Sequence, residues 1–142
     1  MSTYRSLNFY RKAQAVVSGV NVLIKSWPRS MQAQEIGRQL FRAAISVGAN
    51  IAEGHGRHAG KEYIHYLVIA QGSVNEVDHW LHTAQTCHLG PAEKLSELIA
   101  LNTEVSKMLH TTIQTLRQRD TKSLRESPIP YTPNLSPLED NT

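Results

Sequence analysis

The chain has 142 residues, 40% of them hydrophobic, which fits one ordinary domain with a real core and excludes a wholly disordered protein. A single cysteine, Cys87, excludes an internal disulfide and a four-cysteine zinc site, and no run approaches the ~20 apolar residues of a membrane span. The formal charge is +3, placed unevenly: residues 1–61 hold nine Lys/Arg and two acids (+7), residues 62–142 six and ten (−4). Such asymmetry suggests a polyanionic partner, or a two-signed surface for solubility and subunit contacts. The start, Met1 to Tyr10, lacks the apolar run of a secretory signal, so a cytoplasmic protein is expected.

Tyr10, Ala13, Val17, Val20, Ile24 and Trp27 recur at spacings of three and four, the seam of a first helix lying at a shallow angle on its neighbours. Pro28 predicts its end, because proline disfavours helix in the residue before it, and Ser30 is placed to cap a second helix. That helix carries the stripe Leu40, Phe41, Ala44, Ile45, Gly48, Ile51 and Ala52. Gly54, Gly56 and Gly60 bracket the next connection and are read as permitting a sharp turn. A third helix is predicted over about residues 61–88, with Leu67, Ala70, Val74, Val77, Leu81 and Ala84 as its seam. Gly90-Pro91 is a stop and restart, glycine suiting the left-handed position after one helix and proline the first turn of the next. Leu95, Leu98, Asn102, Val105, Leu109, Thr112 and Leu116 form the fourth seam.

No segment alternates with period two as a strand would. The four seams and short connections predict an all-α fold, an up-down-up-down left-handed four-helix bundle over residues 1–119. From Asp120 onward Pro128, Pro130, Pro133 and Pro137 fall among Ser, Thr and Asn, so residues 120–142 are expected to be a disordered tail. Ile64, Val68, Ile69 and Trp80 lie off the third seam, and Leu101 and Met108 off the fourth. Second apolar faces ask either for subunit packing or for a wider core.

Arg42, Ser46, Asn50, Glu53 and Arg57 form a polar stripe at spacings of 4, 4, 3 and 4. Glu62, Tyr66, Ile69, Ser73, Glu76 and Trp80 form a mixed stripe on the third helix. One reading is an inter-helix network, with Arg57 pairing with Glu53 or Glu62. The other makes Arg42 and Arg57 phosphate contacts, with Glu53 orienting an arginine.

Residues 41–81 contain Asn50-Ile51-Ala52-Glu53-Gly54, then Gly56-Arg57, Lys61-Glu62-Tyr63, Gly72-Ser73 and Glu76. In this order and spacing, with Trp27-Pro28-Arg29-Ser30 as a first interhelical turn, the chain resembles the 23S ribosomal RNA intervening-sequence proteins over about residues 8–119. The resemblance implies a cytosolic, non-enzymatic four-helix bundle that assembles as a ring-like homo-oligomer of five subunits. It also implies a superfamily shared with the accessory variability determinant of diversity-generating retroelements, a basic pentameric barrel that works with a reverse transcriptase and binds nucleic acid.

Two chemistries are excluded on spacing. Glu62-x-x-His65 and Glu76-x-x-His79 lie on one predicted helix, roughly 21 Å apart, and cannot complete a single di-metal site, so no metal or other cofactor is expected. Cys87 and His88 are adjacent, and helix neighbours point about 100° apart, so no catalytic pair is expected. The remaining candidates are cations for nucleic-acid phosphates: Arg11, Lys12, Arg38, Arg42, Arg57 and Lys61. The alternative is a protein-interaction scaffold, in which the ring or the proline-rich tail engages a protein partner and the basic half pairs with acids of a neighbouring subunit; the resemblance implies a reverse transcriptase as one such partner.

Overall fold

Ser30 does what its position predicts: its hydroxyl accepts the Ala33 N–H at 3.1 Å and caps the second of four long helices. The structure, a computed structural model, describes residues 3–57 and 60–126. After a 3-10 turn at Tyr4–Ser6, α1 spans Asn8–Lys25, α2 Met31–His55, α3 Gly60–Thr86 and α4 Ala92–Glu126. The described residues contain no strand, so the all-α expectation holds. Helix α4 runs through Asp120 to Glu126, into the expected tail, because residues 119–126 carry no proline or glycine to stop it. The proline-rich stretch of the expected tail, residues 127–142, lies outside the described residues.

Each helix packs on two others, in the cycle α1–α2–α3–α4–α1, around one core. All six residues of the third seam, Leu67 to Ala84, are buried. Of the expected first seam Ala13, Val20 and Trp27 are buried, but its other three places shift back by one residue. Phe9, Val16 and Leu23 are buried, while Tyr10, Val17 and Ile24 only pack against the core edge. On α2 the core takes Ala43 and Val47, leaving Phe41 39% and Ile45 45% exposed. Of the off-seam apolar residues, Ile64, Trp80, Leu101 and Met108 widen the core, whereas Val68 and Ile69 stay exposed.

Among the described residues one polar side chain is fully inside. Asn102 of α4 donates its Nδ2 to the carbonyl oxygen of Val74 in α3 at 3.0 Å. Beside it Gln71 donates to the Ser106 hydroxyl at 2.7 Å. The connection after α3 holds two left-handed residues, His88 at φ 54° and Gly90 at φ 76°. The Leu89 N–H closes the helix end on the Ala84 carbonyl at 2.9 Å. Gly90 then lies against Trp27, where an added Cβ would come within 2.9 Å of the indole nitrogen.

Candidate functional site

The second half of α2 faces the first half of α3 through polar side chains. Asn50 donates to the Ser46 carbonyl at 2.9 Å and to its hydroxyl at 3.1 Å, and Ser73 of α3 donates to the same hydroxyl at 3.0 Å. A half-buried amide and two hydroxyls thus satisfy one another across the helix pair. Further along, Gly54 lets α3 come close: a Cβ there would stand 2.6 Å from the Cβ of Tyr66. Gly54 is therefore a contact glycine inside the helix, and the reading of it as a turn residue is corrected. The chain leaves α2 at Gly56, with an ordinary φ of −74°.

Arg57 stands at this end. It pairs with Glu53 one turn back, reaches the Tyr66 hydroxyl at 3.4 Å and places its guanidinium 5.5 Å from the Tyr66 ring centre. The Glu53 hydrogen bond, and after it the Tyr66 hydroxyl, hold the guanidinium above its already high ordinary pKa. Burial pushes the neighbouring Tyr63 hydroxyl up. Arg57, Lys61, Glu62, His65 and Tyr66 line a shallow groove of about 260 Å³ with charges of both signs.

The six candidate cations do not gather in one patch. Lys12 crosses from α1 to Glu104 of α4 at 2.7 Å, and Arg11 donates to the Arg5 carbonyl at 3.3 Å. Arg38 lines a groove between α1 and α2 with Asn21, Lys25 and Phe41. Arg42 is exposed one turn further along α2, and Arg57 and Lys61 flank the α2–α3 connection. Along α2, Arg38 and the last helical residue before Arg57, His55, are already roughly 26 Å apart at 1.5 Å per residue.

Lys12 holds the Glu104 carboxyl below the usual carboxylate range, by hydrogen bond first and charge second. A lowered folded-state pKa makes the pair's contribution fully present above the ordinary value and lost as pH falls through the depressed one. In the Lys12→Ala variant the Glu104 titration, followed by carboxyl NMR, is expected to move back up. An unmoved titration would break the assignment.

Of the family-like positions, Glu62 and Glu76 are exposed, and a Cβ on Gly72 would meet nothing within 4 Å. Cys87 is exposed beside an exposed His88. Among the described residues no three His, Cys, Asp or Glu side chains come together to hold a metal ion. No described helix is long and apolar enough to cross a membrane. Sequence reasoning missed an apolar groove of about 470 Å³ between α1 and α4, lined by Ala15, Gly19, Val22, Leu98 and Leu101 among others. Its one local signal was the run of small residues at Ala15, Ser18 and Gly19 on α1.

The chain matches the family model of the 23S rRNA-intervening sequence protein over residues 5–111. No curated protein matches it. A similar solved structure is the 1.70 Å crystal structure of a protein with unknown function from the S23 ribosomal protein family of Bacteroides thetaiotaomicron VPI-5482. The two share 24% identity and a TM-score of 0.65, over 74% of this chain and 97% of that one, which is a likeness of fold.

Proposed function

The chain belongs to the 23S rRNA-intervening sequence protein family, and on that premise we propose a non-enzymatic, oligomeric four-helix bundle of the cytoplasm that binds nucleic acid, RNA foremost, by its phosphates. The bundle is read as up-down-up-down and left-handed. What supports the alternating direction is the opposed residue order across packed pairs: Ser46 meets Ser73 while Gly54, further along α2, meets Tyr66, earlier in α3. The assembly is read as a ring of five on the family resemblance, and it needs no cofactor.

The observation that carries nucleic-acid binding is the pair Arg38 and Arg42. Both are exposed, one turn apart on α2, and outside every ion pair among the described residues. Phosphate contacts from such residues give affinity and salt dependence without sequence choice. Binding of a structured RNA should weaken steeply with salt, and Arg38→Ala/Arg42→Ala should flatten the log–log salt slope by roughly two units. Absence of binding at low salt by an assembled protein would overturn this reading. A second reading, a scaffold for a protein partner, is favoured by Lys12 and Arg57 being held by Glu104 and Glu53.

A further inference from the structure

Gly72 sits in the middle of α3, where glycine weakens a helix, yet a side chain there would meet nothing in this chain. One turn back on the same helix the surface is apolar, with Val68 41% and Ile69 39% exposed, and one turn on it is polar, with Asn75 and Glu76 exposed. The fold itself gives no reason for a bare backbone at this spot. A second helix laid across it would.

We propose that the outer face of α3 receives the outer face of α1 from a second copy of this chain, with Val22 seated over Gly72. This rests on the oligomeric reading above and names the surfaces that would build it. Val22 is 67% exposed, and small Ala15 and Ser18 precede it by seven and four residues on α1.

Charge selects the occupant. Helix α1 carries three cations, Arg11, Lys12 and Lys25, and no acid, while α3 carries Glu62, Glu76 and Asp78 against the single Lys61. The spacing agrees as well. Arg11 and Lys25 are fourteen residues apart, as are Glu62 and Glu76, which is close to four helical turns and roughly 21 Å. Each pair of charges therefore brackets its apolar or small centre on one side of its helix. Among the described residues Arg11, Lys25 and Glu76 enter no ion pair within the chain. Within the chain α1 and α3 are the diagonal helices and do not meet, so the contact is between different patches, the head-to-tail kind that closes rings.

The test compares the mass in solution of the full chain with that of Gly72→Leu and Val22→Glu. Circular dichroism on each variant checks the helices, and both positions are open to solvent. The wild type is expected to be an oligomer and each variant alone a monomer. An equimolar mixture of the two variants at high concentration is expected to yield a two-chain species that grows no further, since each chain keeps one intact patch. If the wild type is an oligomer and both variants keep its mass, this interface is wrong while the oligomeric reading stands. If the variants dissociate but their mixture stays monomeric, the head-to-tail pairing is wrong. A monomeric wild type would overturn both.

Discussion

Gly90→Ala is expected to cost about 2–5 kcal/mol of stability. Two costs combine. The residue sits at φ 76°, in the left-handed region where a Cβ is penalised by about 1–2 kcal/mol. The methyl would also fall 2.9 Å from the Trp27 indole nitrogen and 3.1 Å from a Leu23 methyl, and such overpacking costs typically about 1–3 kcal/mol. Trp27 is a core residue, 8% exposed, so it can yield only by leaving its seat at the junction of α1 with the α3–α4 connection. The chain has two tryptophans, and a Trp80→Phe background leaves Trp27 as the reporter. The variant should melt well below its parent, with red-shifted Trp27 emission before the transition. Equal melting and unchanged emission would mean that Trp27 does not rest on Gly90.

The second large effect is expected at Gly54. An alanine Cβ would stand 2.6 Å from the Tyr66 Cβ and 3.3 Å from the Tyr63 carbonyl oxygen, and neither atom belongs to a flexible side-chain end. Helices α2 and α3 must separate there, at the overpacking cost of about 1–3 kcal/mol, against which alanine returns up to ~1 kcal/mol of helix propensity. Gly54→Ala should lose about 1–2 kcal/mol net, read as a melting drop of roughly 5–10 °C. Gly54→Leu should lose more, because nothing in the junction can make room. Thermal and urea unfolding of both variants check this. An alanine variant that melts above wild type would mean propensity outweighs packing and the helices do not touch at that point.

These two glycines mark how far a linear reading reaches. Gly90 beside Pro91 is legible as a stop because its cause is local backbone geometry. Gly54 is not, since its cause is Tyr66 on another helix, and three nearby glycines look like a turn whatever faces them. The same division runs through the core. On α3 Val74, Val77 and Ala84 have polar neighbours on both sides, which fixes the phase, and period then finds all six even where Val68, Ile69 and Trp80 flank the seam. On α1 the doublets Val16-Val17 and Leu23-Ile24 leave the rotation undetermined by period, and tertiary packing chose the first of each pair. At the candidate site, Arg57 with Glu53 follows from i,i+4 spacing. Lys12 with Glu104 joins residues 92 apart and has no local signature. The free arginines of α2 were visible as charges, but whether they were already paired needed the fold.

The Asn102 amide has a bearing on motion as well as on structure. Helices joined only by interchangeable aliphatic teeth can slip along each other by a turn, because each tooth finds an equivalent gap. Here a slip of α4 along α3 would strand the Asn102 donor away from the Val74 carbonyl, a loss of about 1–3 kcal/mol for a buried group. The α3–α4 pair therefore behaves as a keyed joint, with one allowed setting. Shape changes during assembly or binding would then leave this joint in register.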